Sequence, residues 1–121
     1  MSAAVWIGVA ALGSLGALGR VVLEDVISAK VGMPFPMGTL AVNLSGAFVL
    51  GLATGLALTG NTLVLIGGGA IGSYTTFSTW MLETHGLSRD GRKRAAAANM
   101  LLSIALGIGA VTLGRTIGGW L

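Results

Sequence analysis

Apolar residues in this chain come in long uncharged blocks, and polar residues gather at the ends of those blocks or at a few points inside them. Four blocks approach the roughly 20 residues a helix needs to cross a bilayer. The first covers about residues 3–19 and is closed by Arg20. Glu24, Asp25 and Lys30 follow in a short connection with room for a surface helix. Met33-Pro34-Phe35-Pro36 then punctuates the start of the second block, about residues 37–58. Proline suits the first turn of a helix, where its missing N–H has no partner to lose. Thr59-Gly60-Asn61 reads as a tight turn, and the third block covers about residues 62–83. A basic loop from Ser88 to Arg94 leads to the fourth, about residues 95–114, which ends near Arg115. Trp120 is placed to anchor the chain at the interface. The pattern predicts an all-α membrane protein, a single transmembrane domain over residues 1–121 with four crossing helices.

Composition agrees with this pattern. Charged residues are 9% of the chain, against about 25% in an ordinary soluble domain. A small soluble domain needs a mostly polar surface, and here the solvent is lipid. There are no cysteines, so disulfides and thiolate metal sites are excluded, and the single His85 builds no metal site alone. The net charge of +3 does not point to nucleic acid, because Arg89, Arg92, Lys93 and Arg94 sit in one loop beside apolar blocks. Such a cluster marks a cytoplasmic loop of a membrane protein. The 21 glycines include Gly51-x-x-x-Gly55 and Gly114-x-x-x-Gly118, with Gly8 and Gly16 on one face of the first helix. In lipid no hydrophobic force drives helices together, so small residues that allow close backbone approach indicate a compact bundle. Four such helices enclose little interior, so a transport path calls for a second subunit.

Three polar features stand out inside the blocks. Gly72-Ser73-Tyr74-Thr75-Thr76-Phe77-Ser78-Thr79-Trp80 lies in the middle of the third. Gly72 and the β-branched Thr75-Thr76 pair weaken helix propensity, which predicts a break in the third helix. Backbone broken at membrane depth survives only when buried in protein or lining a cavity, and such breaks often hold ions. The other reading is a continuous helix whose hydroxyls bond back to its own carbonyls. Asn43, within Gly38–Gly46, is an amide that needs partners, as an interhelical link or as part of a path. Asn99, Ser103 and Gly107 share one face of the fourth helix, either lining a path or joining helices. No Asp, Glu, Lys or Arg lies mid-span; Arg20 and Glu83 sit at span ends. A neutral, hydroxyl-lined path suits a small anion crossing passively, whereas a proton-coupled pump needs a buried carboxylate.

Taken together these stretches resemble the Fluc/CrcB family of fluoride channels. The resemblance is carried by Gly13-Ser14-Leu15-Gly16-Ala17-Leu18-Gly19-Arg20, by Gly38-Thr39-Leu40-Ala41-Val42-Asn43-Leu44-Ser45-Gly46-Ala47-Phe48, and by Gly72-Ser73-Tyr74-Thr75-Thr76-Phe77-Ser78-Thr79. It implies an antiparallel dimer with two fluoride pores at the subunit interface. It also implies a structural sodium ion on the dimer axis, held by the backbone carbonyls of Gly72 and Thr75. Asn43, Phe77, Ser78 and Thr79 match pore positions, with Ser103 a weaker match. Arg20 matches a vestibule arginine whose positive potential gathers anions. Glu83 matches an acidic residue whose role is open. Where the family has a second phenylalanine, this chain has Trp80, which brings an indole N–H donor and more bulk to the pore. The chemistry is coherent. Fluoride is strongly hydrated, so a pore must replace its water with hydroxyl and amide donors and with electropositive ring edges. A bound sodium adds a fixed positive charge.

With four spans, one side carries Arg115 alone, and the other carries Arg20, Lys30, Arg89, Arg92, Lys93 and Arg94. The positive-inside rule then predicts one orientation in the cell membrane, with both termini outside. An antiparallel partner is either a second copy inserted the other way or an oppositely oriented paralogue, and the charge asymmetry favours the paralogue. Two other functions compete. One is a small four-helix multidrug-type exporter, which lacks its membrane carboxylate here. The other is a non-transporting assembly subunit, which leaves the 72–79 segment unexplained. An enzyme is disfavoured, because the spans hold no nucleophile–base pair or metal cluster.

Overall fold

The computed structural model describes residues 1–121, and its regular elements are all helical. Helix α1 (Ala3–Val31) starts at Ser2, whose hydroxyl oxygen accepts the Val5 N–H at 3.3 Å. It ends at Gly32, which takes the left-handed conformation (φ 63°) and donates its N–H to the Ser28 carbonyl. The charged residues Glu24, Asp25 and Lys30 therefore continue the first helix and form no separate surface helix. Charge ends a membrane span, but only a breaker ends a helix, and none occurs between Arg20 and Val31. At 29 residues α1 is about 44 Å long, well beyond the hydrocarbon thickness of about 30 Å.

Helix α2 (Met37–Gly55) begins directly after the buried Pro36. Its end is a Schellman motif: the Leu58 N–H bonds the Ala53 carbonyl at 3.1 Å and the Ala57 N–H bonds the Thr54 carbonyl at 3.0 Å. The turn thus starts at residue 56, earlier than the expected Thr59–Asn61, and runs to Gly60, which is itself left-handed (φ 59°) and opens the next helix. The motif's left-handed position is held by Ala57 at φ 59°. An L-residue pays about 1–2 kcal/mol there, so Ala57→Gly is expected to raise the stability of the detergent-solubilised protein by up to about 1 kcal/mol, readable from its thermal unfolding.

The third crossing is made of pieces. Helix α3 (Gly60–Leu63) runs into a π-helical segment (Val64–Ile71), then one turn of α-helix, α4 (Gly72–Tyr74). The chain breaks at residues 75–77 and resumes as α5 (Ser78–Arg89). The predicted interruption of the third helix is present. Gly91, at φ 80°, reverses the chain within residues 90–92, so the basic residues on either side belong to helix ends. Helix α6 (Lys93–Trp120) closes the fold. α1, α2 and α6 are each long and apolar enough to cross a membrane.

α2 is the central helix. It packs along α6 and also meets α1, while α1 holds the π segment and α5 meets α6. The α2–α6 contact is a reciprocal glycine seam. A Cβ on Gly51 would strike the Val111 carbonyl oxygen, and one on Gly55 that of Arg115. A Cβ on Gly114 would strike the Phe48 carbonyl oxygen, and one on Gly118 would lie 2.5 Å from that of Leu52. Large apolar side chains such as Ile7, Leu15, Leu101 and Ile108 point outward instead. Small residues inside and large apolar residues outside are the arrangement expected in lipid.

Candidate functional site

The break lies against α2, and Asn43 holds it open. The Asn43 amide donates from Nδ2 to the Thr76 carbonyl at 2.8 Å and accepts the Thr76 N–H on Oδ1 at 2.8 Å. One side chain thus satisfies both polar groups of a residue whose helical bonding is gone, which makes broken backbone tolerable at this depth. Space for the break comes from Gly46, one turn along α2. A Cβ there would strike the Thr75 methyl group and lie 3.3 Å from the Tyr74 ring. Tyr74 is tied to the same helix through its hydroxyl, 2.9 Å from Ser45 Oγ.

Carbonyls around the break lose their helical donors; Ser73 accepts from Arg20 and Thr76 from Asn43 instead. In a continuous helix the Thr76 N–H would bond the Gly72 carbonyl, but here it goes to Asn43. The Thr79 N–H would bond the Thr75 carbonyl, but here it goes to Thr76 Oγ1 at 3.1 Å, so Thr76 caps α5. Thr75 itself is extended (φ −81°, ψ 158°), which turns its carbonyl out of the helical ladder. The carbonyls of Gly72 and Thr75, on which the resemblance places a sodium site, are among those left without a helical donor. Carbonyl oxygens are the hard donors such a cation takes.

The five hydroxyls of the segment divide into two groups. Ser73 and Thr75 donate back to the carbonyls of Gly69 and Ile71, at 2.7 and 3.0 Å. Thr76 is the cap, with its Oγ1 3.4 Å from Ser78 Oγ. Back-bonding and a broken helix, alternatives in the sequence, occur together on successive residues. Ser78 is exposed and Thr79 half-buried at the start of α5, and Phe77 is 69% exposed beside them. An open groove of about 310 Å³ runs here, lined by Asn43, Gly46, Ala47, Thr76, Phe77 and Trp80.

Trp80 meets Phe77 edge to face, with centroids 5.6 Å apart and planes at 85°. Its indole N–H donates to the Asn99 carbonyl at 3.1 Å and so is not free for an anion. Asn99, almost fully buried, donates its amide to Thr84 Oγ1, and Thr84 donates to the Trp80 carbonyl, both at 2.8 Å. On the fourth helix's polar face Asn99 is thus glue between α5 and α6, while Ser103, a turn further on, is half-buried. Trp80→Phe keeps the ring pair and removes one hydrogen bond. It is expected to lower stability by about 1 kcal/mol, seen as a lower unfolding temperature in detergent.

At one end of the site Arg20 Nε donates to the Ser73 carbonyl at 3.4 Å, with its guanidinium 4.0 Å from the Glu24 carboxylate. Arg20 therefore faces the negative end of the α4 turn. Glu83 accepts the Thr39 hydroxyl, which joins α5 to α2. Thr76, Thr39 and Ser45 do not stand out individually in the sequence. Only Thr76 had a local signal, a threonine three residues before a helical N–H it can cap; the other two act through contacts 44 and 29 residues away in the chain.

Comparison with known proteins gives the family. The family of CrcB-like proteins (camphor resistance, CrcB) matches residues 7–115. The protein named fluoride-specific ion channel FluC 2 of Mycolicibacterium paratuberculosis is 46% identical over 114 residues, covering 94% of this chain and 93% of that one. FluC 2 of Mycobacterium tuberculosis is 43% identical over 117 residues, covering 97% and 93%. FluC 1 of Symbiobacterium thermophilum is 40% identical over 119 residues, covering 93% and 96%. With three apolar helices of crossing length and a further crossing built in pieces around residues 75–77, this multi-pass membrane protein belongs to the CrcB-like family.

Proposed function

We propose that this chain is one subunit of a fluoride-specific channel that lets fluoride leave the cytoplasm passively. The observation that carries the proposal is the broken third crossing, with its exposed Phe77 and Ser78 beside Asn43, in a chain whose relatives bear the name of fluoride channels. A dehydrating anion needs donors and electropositive edges in place of water. The Ser78 and Thr79 hydroxyls, the remaining Asn43 N–H and the Phe77 ring edge supply both. The groove beside them is open, so a second, antiparallel subunit is needed to close a path. The released Gly72 and Thr75 carbonyls, with their counterparts in that subunit, would hold sodium, whose charge favours an anion nearby. Arg20 adds positive potential at the mouth, reduced by Glu24 at 4.0 Å. The six-to-one charge asymmetry supports an oppositely oriented paralogue as the partner.

Purified protein in liposomes, alone and mixed with the paralogue, is expected to release fluoride and not chloride. No fluoride release from either preparation overturns the proposal, and release from the protein alone favours the homodimer. Phe77 is exposed, so Phe77→Ile should leave the fold intact while slowing fluoride efflux about two- to tenfold, the scale of a lost aromatic contact.

A further inference from the structure

The π segment lies outside the three motifs of the resemblance, yet it leads directly into the break. Within it the Gly72 N–H bonds the Gly67 carbonyl, five residues back. Three residues later the Thr75 N–H bonds the Ile71 carbonyl, four residues back. The ladder thus steps from i−4 to i−5 and returns, so the segment holds one residue more than an α-helix of the same span would. Three consecutive glycines, Gly67, Gly68 and Gly69, form its centre, and glycine is the residue that least favours α-helix after proline.

The two ends of this segment are anchored differently. Upstream, Leu65 lies against Gly8 of α1, where a Cβ would come within 2.7 Å of its Cδ2, and the turn from Leu56 is locked by the Schellman bonds. Gly69 is buried against Val9, 3.3 Å from its Cα to a built Cβ. Downstream, residues 75–77 are already non-helical and can take up slack. Successive residues of an α-helix are about 100° apart. A surplus residue passed downstream would turn the Ser73 carbonyl away from Arg20, Tyr74 away from Ser45, and Thr75 away from Gly46.

We infer that the Gly67–Gly69 π segment is a register device: it absorbs one surplus residue and thereby aims residues 73–76, including the Ser73 and Thr76 carbonyls, at their partners on α1 and α2. The inference rests on the fluoride-channel reading for its functional consequence but not for its geometry. It makes Gly67 and Gly68 positioning residues. Neither is crowded: a Cβ on Gly68 meets nothing within 4 Å, and one on Gly67 comes no closer than 3.5 Å to a side chain. The Gly67→Ala/Gly68→Ala variant can therefore fold, and it favours regular α-helix.

The chain has no cysteine, so register is readable by disulfide formation without background. A Cβ on Gly13 would lie 3.7 Å from Ser73 Oγ, which makes Gly13→Cys/Ser73→Cys a reporter pair. In the otherwise native chain this pair should cross-link on oxidation. Adding Gly67→Ala/Gly68→Ala should abolish the cross-link, and in a chain without the reporter cysteines it should cut fluoride efflux about tenfold or more, the effect of a misalignment costing about 1.4 kcal/mol. Keeping Gly67→Ala but deleting Gly68 removes the surplus residue, and should restore both the cross-link and efflux. Unchanged cross-linking in the double alanine variant, or none after the deletion, overturns the inference. A native chain that cross-links but releases no fluoride overturns the channel reading and leaves the register device standing.

Discussion

Asn43→Ala is expected to cost this protein both fluoride flux and stability, and more of each than any other single change at the break. The alanine leaves the Thr76 N–H and carbonyl without the two 2.8 Å bonds that satisfy them. Each unpaired group costs about 1–3 kcal/mol where water is scarce, so the broken conformation loses about 2–6 kcal/mol. A continuous helix then competes, with the Thr76 N–H returned to the Gly72 carbonyl. Fluoride efflux should fall at least about tenfold, since about 1.4 kcal/mol suffices for that factor. Asn43→Asp separates the two bonds. It keeps an acceptor for the N–H and sets a carboxylate oxygen against the Thr76 carbonyl, so it should be as damaging as alanine. Efflux from Asn43→Ala equal to the native rate, with the unfolding temperature unchanged, would show that the break does not depend on Asn43.

The second large effect is expected at the glycine seam. Gly114→Ala puts a methyl group into the Phe48 carbonyl oxygen and 2.9 Å from the Leu52 nitrogen. These are backbone atoms of α2 and cannot rotate away as a side-chain tip would. The helices must separate, and close contact is lost at Gly51, Gly55 and Gly118 as well. Overpacking a yielding core costs about 1–3 kcal/mol; here the cost should be at or above the top of that range. Size-exclusion chromatography in mild detergent should show mostly aggregate or no recoverable protein. Gly109→Ala on the same helix is the control, because a Cβ there meets nothing within 4 Å. It should be neutral or slightly stabilising, as alanine favours helix over glycine by about 0.5–1 kcal/mol. Equal behaviour of the two variants would sink the close-approach account.

Much of this was legible along the chain, because in lipid the main constraint is local. A span must be apolar over its whole length and a break must be polar, and both are visible in uninterrupted stretches such as residues 95–114 and 72–80. The two small-xxx-small pairs on α2 and α6 were visible too, although nothing in the sequence paired them with each other. Helix ends were less legible. Hydropathy closes the first span at Arg20, but the helix runs on to Val31 because a charge outside the bilayer is no obstacle to helical bonding. The turn after α2 begins earlier than Gly60 suggests, because an alanine, Ala57, takes the left-handed conformation as Gly60 does.

Membrane class, helical crossings, the interruption near Thr75 and the kind of chemistry the side chains offer can all be read along the chain. These depend on composition and on neighbours within a few residues. Which of those polar groups are spent and which are free is settled by the packing of the helices. Asn43 and Thr76 are 33 residues apart in the chain, and only their contact diverts the N–H that releases the Gly72 carbonyl. The Trp80 indole, an available donor when read alone, is committed to Asn99 on another helix. A hydrogen bond between distant residues leaves no periodicity in the sequence, so the division between structural and available donors had to come from the packed helices.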